Sequence, residues 1–439
     1  MENQSMYKQT LSGTNASNLN LKIKQMKKIR FFLSGLTMLI IFASCNKYVE
    51  KTVSSPDPLT ETTANMISEN GNNPDEKIMT TSADGKTGLN TVNSVSTTTN
   101  RRGHFLYTES NEAGTNRIFV YQINQDGTLT SRGSASAGGA GTGSGLGSQG
   151  AIAISGDKQW LFAVNAGNNS VSSFKVHDDG SLTLAHTESS EGGKPVSLSF
   201  RDNLLYVLNF DSDNIHGFKV GVGGTLTHIA GSTRLLSGTG VVPPQISFTP
   251  NGRFLVVTEK ATNKISSFKV RDDGSVEPGI ATNSVGQTPF GFDFGRDDFM
   301  IVSNAAGGAD GAGSATSYRV QGQGALHDVN GAVPNFQGAP CWVATTEFGR
   351  FAFVSNTGSN SLSSYYIAPG GKLFLINKAV ASTDNAPADI VVAANNFNVY
   401  NLNVNSGTIT EFHRTFLGGL QSIGSVTGLP ASIVGLATF

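Results

Sequence analysis

The strongest constraint on this chain is internal repetition. From about residue 101 onward the sequence resembles itself every 43–51 residues, the signature of a blade or solenoid array. Gln149 to Val176 reads QGAIAISGDKQWLFAVNAGNNSVSSFKV, and Pro195 to Val220 reads PVSLSFRDNLLYVLNFDSDNIHGFKV. Pro244 to Val270, Pro289 to Val320 and Pro340 to Ile367 repeat the scheme, and a weaker copy begins at Pro387. The copy from Pro289 carries a Gly/Ala-rich insertion at Ala305 to Ser314.

Each copy divides into four short strands. In the clearest one, Ile246 to Phe248 opens the unit, and the turn Thr249-Pro250-Asn251-Gly252 leads to Phe254 to Thr258. An Asn-containing loop then leads to Ile265 to Val270, and Asp272-Asp273-Gly274 turns the chain into the fourth strand. Asp-Gly pairs accept positive φ and set hairpins. Four up-and-down strands at this period predict an all-β, seven-bladed β-propeller of four-stranded antiparallel blades. The first copy lacks an opening strand, since His104 to Tyr107 and Arg117 to Ile123 match second and third strands. The C-terminal stretch Leu429-Pro430-Ala431-Ser432-Ile433 resembles Lys194 to Leu198 and is expected to supply it, closing the ring and removing exposed sheet edges.

The region before the repeats reads differently. Lys22, Lys24, Lys27, Lys28 and Arg30 precede an apolar run from Phe31 to Ala43, of signal-peptide length and too short to span a membrane. It ends in Phe42-Ala43-Ser44-Cys45, which resembles a bacterial lipoprotein cleavage box with Phe42 in place of an aliphatic residue. Residues 1–45 are therefore expected to be a targeting segment starting at Met26, with Cys45 lipidated. Residues 46–100, rich in Ser, Thr and Asn, bury too little apolar surface to offset ordering entropy and are expected to form a tether. Residues 101–439 form the propeller. The expected location is the cell envelope, lipid-anchored and facing the periplasm or exterior.

Composition narrows the partners. Net charge is −1, and only 14% of residues are charged. Nothing favours nucleic acid, and contact with a membrane is expected through the lipid alone. Cys45 and Cys341 make neither a CxxC pair nor a disulfide framework. Gly141 to Gly147 looks like a nucleotide loop but is followed by a strand rather than a helix, so it reads as an inter-blade linker. His177-Asp178-Asp179-Gly180 and Arg271-Asp272-Asp273-Gly274 lack the ligand alternation of a calcium loop and read as hairpin turns. Neither metal nor cofactor is expected.

The segment Pro244 to Leu255 and the Asn-x-x-Ser segments at Asn168, Asn263 and Ser359-Asn360 resemble the lactonase-type propeller family. It includes bacterial 6-phosphogluconolactonase-like proteins and the fungal carboxymuconate lactonising enzyme, and related YVTN-type repeats occur in non-enzymatic surface proteins. The resemblance implies a His after the opening Pro of one blade. In the next blade it implies an Arg after the Pro and a Glu ending the second strand. Such groups hold an oxyanion and move a proton. Here the His position reads Gln245, the Arg position Phe290, and the Glu position Asn304 or Ala305. The remaining post-proline positions are Val196, Cys341, Ala388 and Ala431, with Ala151 in the copy lacking Pro; this nearly uncharged ring is expected to line the channel mouth. Glu259, with Lys260 and Lys264 on its loop, is the alternative site. The expected function is a binding or scaffold protein holding a protein or small neutral ligand on a propeller face. The alternative is a lactonase, or a carboxymuconate-cyclase-like enzyme, with a rearranged site.

Lipidation has a direct test: radiolabelled palmitate is expected to enter the wild-type protein and not Cys45→Ala. Equal labelling would exclude this anchor.

Overall fold

The computed structural model describes residues 104–439; the targeting segment, Cys45 and the whole of the tether lie outside the described residues. The described residues form seven antiparallel sheets that make a seven-bladed propeller. Blade II is built from Ile152–Ile154, Trp160–Asn165, Ser170–Val176 and Leu182–Ser189, in that order from the axis outward. Blades III to VII open with Pro195–Arg201, Gln245–Phe248, Pro289–Phe294, Pro340–Thr345 and Pro387–Val392, and each repeats the scheme. Blade III carries a small extra strand, Arg234–Leu235, beside its third strand.

Burial follows position in the blade. Second strands such as Phe254–Glu259 are buried along their whole length, because neighbouring blades cover both faces. Fourth strands such as Leu373–Ser382 face solvent along much of theirs. The turn between third and fourth strands explains the Asp-Gly and Gly-Gly pairs. Gly180 (φ +81) and Gly224 (φ +79) need the left-handed region. A Cβ on either would also strike the aromatic ring that opens the second strand of the preceding blade, Phe105 or Trp160. Each blade is thus seated on the next: Tyr107 Oη donates to Gly180 O at 2.9 Å, and Ser173 Oγ donates to Gly224 O at 2.6 Å.

Blade I is closed by the end of the chain. Val434–Thr438 pairs antiparallel with Phe105–Glu109, matching Leu106 with Thr438 and Thr108 with Leu436. His104 Nδ1 lies 3.1 Å from Phe439 O, and the Phe439 ring packs against Phe105 and Tyr107. The closing strand starts later than Pro430–Ile433, where the sequence repeat places it. Pro430 to Ser432 instead form a turn whose Ser432 Oγ donates to Ser110 O at 2.6 Å, and Ala431 in it is exposed.

Deleting residues 434–439 removes the inner strand of blade I and strands the polar groups of Phe105–Glu109. Each buried unpaired group costs on the order of 1–3 kcal/mol. The truncated protein is expected to aggregate or to melt roughly 10 °C or more below wild type. Wild-type melting in calorimetry would show that closure does not depend on this strand.

Candidate functional site

The family positions converge on the mouth where opening strands begin and second strands end. The second strands end at equivalent stations. Asn209, Asn304, Asn356 and Asn403 each pair with the Pro opening their blade: Pro195, Pro289, Pro340 and Pro387. Asn165 and Glu259 end the corresponding strands of blades II and IV. The asparagines are bonded back to the third strand. Asn165 Nδ2 donates to Ser170 Oγ (3.2 Å) and Ser172 Oγ (2.9 Å), and Asn356 Nδ2 donates to Ser361 Oγ (3.2 Å) and Ser363 Oγ (2.9 Å). These serines are those of the recurring Asn-x-x-Ser-ϕ-Ser segments; the segments' own Asn263 and Asn360 take positive φ (55° and 48°) in the loop ahead of the third strand.

Glu259 belongs to this station. It is fully buried and accepts four hydrogen bonds. Oε1 takes Ser237 N (3.1 Å) and Ser266 Oγ (2.5 Å); Oε2 takes Thr262 Oγ1 (2.7 Å) and the Ser237 hydroxyl. All lone-pair sites of the carboxylate are used, so it is held as a structural acceptor. Lys264 sits beside it in the ladder, partly buried.

Gln245 pairs with Thr258, one residue before Glu259. The matching partners in blades III, VI and VII are Ser197, Trp342 and Asp389. Gln245 is therefore one step out of register with Val196, Cys341 and Ala388, because blade IV opens with two prolines, Pro243 and Pro244. Those three sit in the irregular step just after the opening Pro, and Phe290 lies in the same kind of irregularity. Val196, Phe290, Cys341 and Ala151 are fully buried. Gln245 is spent on blade contacts: Nε2 donates to Phe292 O at 2.8 Å and Oε1 accepts from Phe292 N at 2.6 Å. Asn304 occupies the strand-end station, with Nδ2 on Ser314 and Thr316, and Ala305 follows it, buried.

The principal feature missed in the sequence is a plug. The chain from Ala137 to Gly150, connecting blades I and II, runs over the mouth. Ser148 Oγ donates to Val196 O (2.8 Å), and Gln149 N donates to Pro244 O (3.0 Å). From the far side Trp342 Nε1 donates to Ser148 O (3.0 Å), and Gln149 Nε2 donates to Val343 O (2.7 Å). Segment 145–149 thus touches blades on opposite sides of the axis. Its root is fixed by Asn111, whose Nδ2 reaches Thr142 Oγ1 (3.0 Å) and Ser144 O (2.5 Å). Gly141 is required there, since a Cβ would lie 2.1 Å from the Asn111 carbonyl carbon. The cavity left beneath, lined by Leu146, Trp342, Ala388 and Val434, measures about 10 Å³, room for about one water. The unusual length of this connection was its only sequence signal.

Among the described residues Lys260 is the one cation buried at the mouth. It is 8% exposed, its Nζ donates to Gly147 O at 3.2 Å, and it lies 4.0 Å over the Phe290 ring. Burial, with Lys194 nearby, lowers its pKa from 10.5 to about 7. At the same end Asp389 bridges blades VII and I through Leu436 N (3.0 Å), and burial raises its pKa to about 8. Among the described residues no cluster of three or more His, Cys, Asp or Glu could hold a metal ion.

The fold defines a seven-bladed β-propeller. The chain belongs to the lactonase, seven-bladed β-propeller family, whose profile matches residues 97–243 and 237–345. It is 24% identical over 284 residues to the 6-phosphogluconolactonase of Bacillus subtilis strain 168, covering 61% of this chain and 78% of that protein. Among solved structures, a putative 6-phosphogluconolactonase of Bacteroides fragilis superposes with a TM-score of 0.64 at 18% identity, covering 78% of this chain and 99% of that one. A periplasmic gluconolactonase of Pseudomonas aeruginosa does so with 0.60 at 18% identity, covering 76% and 98%. At these identities the structures establish the fold.

The Lys260 environment has a pH signature. Its folded pKa is lower than its unfolded one, so between about pH 7 and 10 the unfolded chain carries the extra proton and stability rises with pH. Wild type is expected to gain on the order of a few kcal/mol over that range relative to Lys260→Met. Parallel denaturation curves for the two proteins would place Lys260 in solvent.

Proposed function

We propose that this protein is an exported, lipid-anchored member of the family that acts by binding, its catalytic station given over to structure. The plugged mouth carries this reading: a sugar lactone needs far more than the ~10 Å³ left there. The groups at the family positions are also committed. Gln245 clasps the Phe292 backbone, Phe290 packs on Trp342 with ring centroids 5.2 Å apart, and Glu259 has no lone pair to offer an incoming proton. The Lys-rich start, the apolar run and Cys45 support export and anchoring at the cell envelope. The partner is a protein or small neutral ligand on a propeller face.

A second reading rests on Lys260. An amine with a pKa of about 7 is half neutral near physiological pH, a state suited to proton transfer or attack on a carbonyl. It lies against Gly147, so displacement of segment 145–149 would uncover Lys260 next to Glu259. This reading is a lactonase, or a carboxymuconate-cyclase-like enzyme, with Lys260 as the cation that the family otherwise takes from arginine.

Assay of the purified protein with 6-phosphogluconolactone and simple γ- and δ-lactones decides between them. Hydrolysis is expected not to exceed the spontaneous rate. Turnover near 10 per second, lost in Lys260→Met or Glu259→Gln, would replace the binding reading with catalysis.

A further inference from the structure

The opposite face carries a second concavity, built by the turns of blades V, VI and VII. It measures about 780 Å³, within the range of small-molecule sites, and is lined by Phe348, Phe397 and Phe416 together with three arginines and three acids. Phe348 is 75% exposed, Phe416 79% and Leu417 beside it 78%.

The repeat provides its own reference for these residues. In the turn between first and second strands, blade II has Asp157 and blade IV has Asn251. Each side chain caps the turn, with Asp157 Oδ1 accepting Gln159 N and Asn251 Oδ1 accepting Arg253 N, both at 3.0 Å. Blade VI has Phe348 at that place. In the turn between third and fourth strands, Asp126, Asp179 and Asp273 accept the backbone N–H two residues on. Blade VII has Phe416-Leu417 where blade II has Asp178-Asp179. Two turns thus place an exposed apolar side chain where the others have a capping one. In blade VII Thr415 Oγ1 takes over the cap by accepting Gly419 N at 2.9 Å, so the change there is in hydration rather than hydrogen bonding, and both turns open on one groove.

The groove floor is firmly held. Arg414, itself 8% exposed, lies 5.5 Å from the Phe351 ring and 5.2 Å from the Phe397 ring, and its Nε donates to Asn396 O at 2.7 Å. Asn396 and Glu347 exchange two hydrogen bonds, Glu347 N to Asn396 Oδ1 and Asn396 Nδ2 to Glu347 Oε2, both at 2.6 Å. Arg296 N donates to Gly349 O at 3.2 Å, tying blade V to blade VI.

We infer that this groove is a binding site for a neutral oligosaccharide. The three arginines, Arg296, Arg350 and Arg414, are balanced by Asp297, Asp298 and Glu347, so no net field selects an ion. Arg350 and Glu347, both exposed on the rim, offer a planar donor fork and a carboxylate acceptor to the vicinal hydroxyls of a pyranose. The exposed phenyl faces match its C–H face. An acidic glycan gains no net attraction from a balanced rim, and an apolar peptide leaves that rim unpaired.

The inference gives chemistry to the neutral ligand of the binding reading but stands on the other face. A positive lactone assay would leave it intact, and failed sugar binding would leave the mouth unaffected. The full chain would be titrated calorimetrically with maltohexaose, cellohexaose, xylohexaose and N-acetylchitohexaose, with an oligogalacturonate and a Phe-rich peptide as controls. At least one neutral sugar is expected to bind. Phe348→Asn and a Phe416→Asp, Leu417→Asp double variant restore the residue types of the other turns. They are expected to weaken binding tenfold or more while leaving the melting temperature unchanged or higher. The proposal fails if no neutral sugar binds up to about 10 mM, if either control binds in preference, or if the variants keep wild-type affinity. A lower melting temperature in Phe348→Asn would also overturn it, by making the ring a structural element.

Discussion

The ring depends on the pairing of Val434–Thr438 with Phe105–Glu109. Each blade buries its second strand between two neighbours, so an open array would leave a wholly buried strand type facing water at both ends. Only closure supplies the missing neighbour. The C-terminal strand does this as an inner strand, so blade I is held to the ring by strand hydrogen bonds as well as by side-chain packing. The Phe439 ring against Phe105 and Tyr107 covers the seam with apolar surface.

Much of this was legible because a repeat writes the same local physics many times. Alternation, Asp-Gly turns and the period give four-stranded blades, and the missing opening strand of the first copy points to the tail. The sequence misplaced the closing strand, putting it at Pro430–Ile433, because proline looked like the marker of an opening strand; in blade I, Val434 takes the place of Pro195 opposite the strand-end station. The same reliance on proline displaced Gln245 by one residue, since Pro243-Pro244 offers two candidates and side chains alternate with every step. Export and anchoring fall on residues outside the described structure.

The site was less legible because its chemistry is decided by contacts remote in sequence. Glu259 reads as an acid near a mouth. In the fold it takes the place that asparagine holds in five other blades, its donors drawn from Ser237, Thr262 and Ser266. The plug joins Gln149 to Val343 across 194 positions. No local pattern announces such a contact, yet it leaves a cavity of only about 10 Å³ at the mouth. Catalytic groups need unspent hydrogen-bonding capacity and a route for the reactant. Here the side chains at the family positions spend that capacity on blade contacts, while burial moves Lys260 and Asp389 toward neutrality from opposite sides.

A repeated architecture also separates residues kept for folding from residues kept for something else. Where one position recurs through the ring, the common residue shows what the fold asks for, and a departure that lowers local stability needs another cause. Glu259 departs from asparagine yet keeps the buried bonding, so the fold alone accounts for it. Phe348, Phe416 and Leu417 depart in the other direction. Phe348 and Leu417 stand where Asn251 and Asp179 cap their turns, and with Phe416 they expose apolar surface to water, the blade VII turn keeping its cap through Thr415. The two faces of the propeller therefore read oppositely: at the mouth, ionisable residues have been absorbed into structure, while on the far face structural residues have been given up to form a surface.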